Sequence, residues 1–162
     1  MTNPDPRVDE VEALATHEEV IGRLYDAYAE KFPEYQEFWS DLADEERGHA
    51  EWLRKFRRRV ELGQAEFNEG RFRIRPIEKS IEYINGYAYK ARHEDMTVLY
   101  ALMTAADIEG ALLEKDFLSI YETDNEELRE TLNWLIEATR EHKRKIDDLI
   151  AEVRQSGELS FG

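Results

Sequence analysis

The amino-acid sequence predicts an all-α protein: an antiparallel four-helix bundle with one long crossover between its second and third helices. Three observations point there. In four long segments the apolar residues recur three and four apart, the period of a helix with one buried face. Two of the three connections between those segments are short, which makes their helices antiparallel neighbours, and one is long. Outside a brief alternation of Phe72 and Ile74 with arginine, no segment carries the period of a strand.

The first helix is expected at about 9–32, with Val11, Leu14, Ile21, Tyr25, Tyr28 and Phe32 on one stripe, and Pro33 stops it. A second restarts at about 34–62, carrying Trp39, Leu42, Leu53, Phe56 and Val60, and fades at Gly63. Residues 64–76, QAEFNEGRFRIRP, read as the crossover, with Pro76 able to open a short extra helix at about 77–90 that carries Ile77, Ile81, Ile84 and Tyr87. The third long helix is expected at about 94–122, with Leu99, Met103, Ala106, Gly110, Phe117 and Tyr121. The fourth, at about 125–154, carries Leu132, Leu135, Ile146, Leu149 and Val153. The first and last eight residues read as frayed tails.

A length of 162 residues suits a single domain with one core. Lys and Arg number 22 against 37 Asp and Glu, a net charge of −15, which opposes nucleic acid and anionic membranes and suits cations. The absence of cysteine excludes disulfides, thiolate metal sites, iron–sulfur clusters and an all-thiolate iron centre. The start, MTNPDPRVDEVEA, has neither the basic residues nor the apolar run of a signal peptide. No apolar stretch approaches the roughly 20 residues that span a bilayer. The expectation is a soluble, cytoplasmic protein.

The chemistry lies in gaps in the stripes. At 44–53, DEERGHAEWL places Glu46 and His49 on the buried face of the second helix, one turn apart. An internal repeat adds to this. Shifted by 96, Leu14, Glu18, Ile21 and Tyr25 fall on Gly110, Glu114, Phe117 and Tyr121. Shifted by 93, Trp39, Leu42, Glu46, His49, Leu53, Phe56 and Val60 fall on Leu132, Leu135, Thr139, His142, Ile146, Leu149 and Val153. One Glu-x-x-His is close to what chance supplies in so acidic a chain. Its placement carries the weight, because Glu18, Glu46, His49, Glu114 and His142 all interrupt apolar stripes and so face the interior. Buried carboxylates neutralise, pair or bind metal. Three glutamates facing two histidines lack cations, and a pair of divalent ions would supply them, with iron, manganese and zinc all accepting carboxylate-plus-imidazole ligation. The alternative is a buried polar network without metal.

The segments EEVIGRLYDAYAEKFPEYQEFWSDLADEERGHAEWL, ADIEGALLEKDFLSIY and LIEATREHKRKI together resemble the rubrerythrin-related branch of the ferritin-like diiron superfamily, without a rubredoxin domain, over about residues 9–154. The resemblance implies two irons held between a Glu from the first and third helices and a Glu-x-x-His from the second and fourth. By position, Glu18 and Glu114 would be the single glutamates, Glu46 and His49 the first motif, and His142 the histidine of the second. Thr139 stands where the second motif should have its glutamate. Glu137 and Glu141 lie on other faces of that helix, and Glu109 can compensate from the third, although five residues place it about 140° from Glu114.

The implied function is a non-haem diiron or mixed-metal protein that binds Fe(II) and reacts it with peroxide or oxygen, in iron handling or oxidative-stress defence. It would be a ferroxidase or peroxidase-type oxidoreductase with an electron donor supplied from elsewhere, and a homodimer, with Trp52, Phe67 and the RFRIR segment as candidate contacts. The alternative, favoured by Thr139, is a metal-poor helical-bundle interaction protein that has lost a full diiron site. Of the remaining residues, Tyr25 and Tyr121 read as core or as hydrogen-bond partners of ligands, and Trp39, Trp52 and Trp134 as packing or interface residues. His17, His93, Glu19, Glu45 and Glu51 read as surface, and Gly48 and Gly110 as points of close helix approach.

Overall fold

A computed structural model describes residues 6–64, 74–114 and 126–160. They are all-α, with no strand among the described residues. The elements are α1 (Pro6–Lys31), a 3-10 turn η1 (Pro33–Tyr35), α2 (Gln36–Glu61), α3 (Ile74–His93), α4 (Val98–Glu114) and α5 (Glu126–Ser160). They group into two compact units: α1, η1, α2 and α3 with the opening turn of α5, and α4 with α5 from residue 130 onward.

In the first unit the residue before Pro33 is pushed out of helical geometry, as proline requires: Phe32 has φ −119° and ψ 78°. Its N–H still bonds to Tyr28 O at 2.9 Å, and Tyr35 N–H returns to Phe32 O at 2.9 Å, so the chain reverses within one 3-10 turn. The end of α2 is closed by Gly63 at φ +72°, where a side chain would be strained. Gly63 N–H bonds to Val60 O and Gln64 N–H to Arg59 O, satisfying two of the last carbonyls. Along α2 the buried face is Trp39, Leu42, Ala43, Glu46, His49, Ala50, Leu53, Phe56 and Val60, which is the expected stripe with its two polar gaps included.

Two features of this unit differ from the sequence reading. The extra helix α3 is a full 20-residue element rather than a short one over 77–90, and Pro76 falls in its first turn, where no helical donor is lost. It packs on α1 through a face that includes Ile77, Ile84, Ala88 and Ala91. Covered by α2 on one side and α3 on another, α1 is buried over most of its circumference. His17 is for that reason buried rather than on the surface, with Nε2 2.8 Å from Ser80 Oγ of α3.

In the second unit Thr97 caps α4, its Oγ1 accepting from Tyr100 N–H at 3.1 Å. The buried face of α4 holds Ala101, Leu102, Ala105, Ile108, Glu109 and Leu112. The expected stripe of Leu99, Met103, Ala106 and Gly110 is rotated away from it, and Met103 is 46% exposed. The cause is composition: VLYALMTAADIEGALLE is apolar on nearly every side, so its period does not choose a face. On α5 the buried positions are Leu135, Thr139, His142 and Ile146, while Leu149 and Val153 are half-buried. The helix continues past the expected end at 154 to Ser160. The side chains of Glu114 and Leu132 and all of Phe67, Phe72, Phe117 and Tyr121 lie outside the described residues. No described helix is long and apolar enough to cross a membrane.

Candidate metal centre

Three side chains from α1 and α2 converge inside the first unit. Glu18 lies on the face of α1 that packs on α2, and Glu46 and His49 follow one another by a turn on the face of α2 that packs on α1. All three are buried, and one ligand atom from each lies within 4.8 Å of the others. His49 Nδ1 is 3.5 Å from Glu46 Oε2 and 3.9 Å from Glu18 Oε2. Gly22, one turn after Glu18, faces α2 here with room for little more than a methyl group. A methyl group added to it would sit 3.4 Å from the Ala43 carbonyl oxygen and 3.6 Å from Glu46 Cβ. The sequence reading placed close approach at Gly48, which has open space around it, and at Gly110, where an added methyl group would sit 3.4 Å from Lys143 Cε; it did not name Gly22.

The charge balance of this cluster is unusual. Burial alone would push the Glu18 carboxyl up, but the neighbouring Glu46 carboxyl and His49 ring pull it down to about 2. Burial would lower His49, yet the two carboxylates facing it raise it to about 10. With His49 protonated, two ionised carboxylates leave one negative charge among these three groups, and the buried His17 also acts on Glu18. The metal-free cluster therefore holds either that charge or a second proton on a carboxyl. Glu18 Oε2 accepts no hydrogen bond among the described residues.

These residues fit a divalent ion. Bonds of about 2.1 Å meeting at a tetrahedral angle set their donor atoms about 3.4 Å apart. The Glu46–His49 separation already matches this, and Glu18 needs to close by a few tenths of an ångström, within the reach of a side-chain rotation. Two carboxylates and one imidazole form a donor set that Fe(II), Mn(II) and Zn(II) accept.

Two turns from the ligands the interior is aromatic. The ring of Tyr25 lies 5.5 Å from that of Trp39, and Tyr28 lies 4.8 Å from the same indole, all three fully buried. This wall keeps water from that end of the cluster. On the outside, Arg54 pairs with Glu12 and Glu19, and Arg57 with Glu12, across α1 and α2. Glu19 is thus a half-buried ion-pair partner, while Glu45, Glu51 and His93 are exposed as expected.

In the second unit Glu109 and His142 are brought together, with His142 Nδ1 3.6 Å from Glu109 Oε1 and both side chains buried. Glu109 is therefore an acid on the buried face of α4. A shift of 91 carries Leu14, Glu18 and Ile21 onto Ala105, Glu109 and Leu112, all buried. Thr139 is buried one turn before His142, and its Oγ1 donates to Leu135 O at 3.0 Å. Glu137 and Glu141 turn outward to Arg140 and Arg144. Trp134 is 56% exposed, and Trp52 is half-buried and stacked on Phe56 at 5.6 Å.

Comparison with protein-family models, with curated proteins and with solved structures returned no match. The molecule is defined by its own residues: an all-α protein with buried carboxylate and imidazole groups that can hold a metal ion.

Proposed function

We propose that this chain is a non-haem iron protein of the ferritin-like, rubrerythrin-related type, binding Fe(II) and reacting it with peroxide or oxygen. The observation that carries the reading is the buried convergence of Glu18, Glu46 and His49, with ligand atoms within 4.8 Å of one another. Its support is the donor chemistry together with the helical repeat, in which each half of the chain supplies a glutamate from one helix and a histidine from the next. In the diiron form of this reading Glu109 and His142 belong to a second ion.

Bound iron would supply one-electron redox chemistry at a position open to a small oxidant. The protein's share is to bind and orient. Glu18 and Glu46 neutralise the cation and can change their mode of ligation as its charge changes. His49 gives up its proton to ligate, so loading releases protons. Tyr25, Tyr28 and Trp39 keep one side of the site dry. Electrons for repeated turnover come from a separate donor.

The test is metal content. Protein reconstituted anaerobically with Fe(II) and freed of excess should retain close to a whole number of ions per chain, and Glu46→Gln should retain far less. Retention below about 0.2 ions per chain by the wild type would overturn the reading, because a preformed ligand set loads.

A second reading, a helical interaction protein that has lost its metal chemistry, draws on Thr139, whose hydroxyl bonds to its own helix where a ligand carboxylate would stand. The same measurement separates the two.

A further inference from the structure

Within the second unit one side of α4 is left open. Opposite its buried face the helix carries Leu99, Tyr100, Met103, Ala106, Gly110 and Ala111, and Asp107 is the single charged side chain described on that side. Tyr100 is 47% exposed and Met103 46%. A helix that is apolar on nearly every side is ordinarily covered on every side, and an exposed apolar face with a polar rim marks a place of contact.

Next to this face α5 contributes Ile150 and Ala151, and the two helices frame a groove of about 550 Å³. Gly110 and the small side chains of Ala106, Ala111 and Ala151 let another chain come close to both backbones. The charges lining the groove cancel, Asp107 and Asp147 against Lys143 and Arg154. Lys143 is bonded to Asp147 at 2.7 Å. Asp107 forms no ion pair among the described residues, and the Arg154 guanidinium meets Met103 Sδ at 4.0 Å rather than a carboxylate.

From this face we infer that the chain pairs with a second copy of itself, α4 and α5 of one chain lying across α4 and α5 of the other about a two-fold axis. A two-fold contact makes every pairing twice, so the spare acid and the spare base of one groove become two ion pairs, Asp107 of each copy with Arg154 of the other. Met103 of each copy fills the small-residue groove of the other. Copies of a chain with net charge −15 repel one another on average, but this groove is locally neutral and lets them meet without opposing like charges. A strongly acidic or basic partner would gain no charge attraction there. None of these residues belongs to the Glu18, Glu46 and His49 cluster, so the pairing does not depend on metal.

The experiment is sedimentation equilibrium of the full chain from roughly 1 to 200 μM, a range suited to an interface at the small end of the specific class. The wild type should pass from monomer to dimer within it. Met103→Glu and Asp107→Arg should each weaken the dimer at least about tenfold, and Asp107→Arg/Arg154→Asp should recover most of the loss to Asp107→Arg. All three positions are exposed, so the variants should keep the helical content and the melting temperature of dilute wild type; Tyr100→Glu takes the place of Met103→Glu if that variant unfolds. A chain that stays monomeric throughout would overturn the inference. So would a dimer indifferent to Met103→Glu and Asp107→Arg, which would be formed through another surface, or a charge-swapped double variant no tighter than Asp107→Arg alone.

Discussion

The α1–α2 half and the α4–α5 half answer the same problem, how to keep ionisable groups in a helical interior, in different ways. In the first, the carboxyls of Glu18 and Glu46 face the ring of His49, 3.9 and 3.5 Å from its Nδ1. In the second, His142 Nδ1 lies 3.6 Å from Glu109 Oε1, and one turn before the histidine α5 carries a threonine bonded back to its own helix. Without metal, two carboxyls beside one imidazole need two protons to reach neutrality, whereas one carboxyl beside one imidazole needs only one. The difference between the halves can be broken or sharpened by experiment.

The largest expected effect is on the pH dependence of the metal-free protein. His49 is raised from 6.5 to about 10 in the fold. Between those values the folded chain holds a proton that the unfolded chain has released, so stability is fully present below pH 6.5 and declines as pH rises through 10. The decline approaches about 1.4 kcal/mol per pH unit at its steepest. Glu18 has the opposite sign. Lowered from 4.5 to about 2, it contributes above pH 4.5, and that contribution is lost as pH falls through 2. Urea unfolding of the metal-free protein between pH 6 and 10 should show the alkaline decline, and His49→Leu should flatten it. An equal slope in both proteins would remove His49 as its source.

Next in size is a test of which face of α4 is buried. Leu102 is fully buried and Met103, its neighbour in sequence, is 46% exposed. Leu102→Ala should cost about 2–5 kcal/mol by opening a cavity. Met103→Ala should cost under about 1 kcal/mol, as surface truncations do. Chemical denaturation measures both, and equal losses would mean that α4 is turned otherwise.

That pair of residues also marks the limit of what the sequence discloses. On α2 a charged face opposes an apolar one, so Trp39, Leu42, Leu53, Phe56 and Val60 are legible as core and Glu46 and His49 as deliberate interruptions. On α4 the apolar residues surround the helix, so a plausible but rotated stripe emerges, and the repeat drawn from it leads to Glu114, whose side chain lies outside the described residues, while Glu109 is buried. His17 is illegible for another reason: its burial is created by α3, whose packing on α1 leaves no mark on the period of α1 itself. Gly22 matters only through the partner it admits. The all-α class and the residues of the α1–α2 cluster could be read because they follow from periodicity within a helix. What needed coordinates were the choices that depend on which second or third helix lies against it.

A smaller effect separates binding from stability. Replacing a buried charged cluster with apolar groups of similar size is often neutral or stabilising by about 1–4 kcal/mol. The variant Glu18→Met/Glu46→Met/His49→Leu should therefore unfold at equal or higher denaturant than the metal-free wild type while binding no Fe(II). The matching variant Glu109→Met/His142→Leu should gain similarly. Iron retention by the first variant would show that the ion is held elsewhere.

The smallest effect expected concerns the outside of the same α1–α2 contact. Arg54 bridges Glu12 and Glu19 there, and its guanidinium holds the Glu19 carboxyl below its usual range. Arg54 and both acids are about a third exposed, so water screens the attraction and leaves little net gain. Arg54→Met, which keeps most of the side chain's apolar contact, should cost under about 1 kcal/mol, and the cost should shrink further in high salt. Iron binding should be unchanged, because the convergence of Glu18, Glu46 and His49 depends on the apolar packing of α1 on α2. The acids on the two faces of α1 thus have different fates. Those outside are balanced by arginine and contribute little, whereas those inside converge on a histidine and can hold a metal ion. If Arg54→Met lost iron along with stability, the outer ion pairs would be setting the helix spacing, and that division between the two faces of α1 would be wrong.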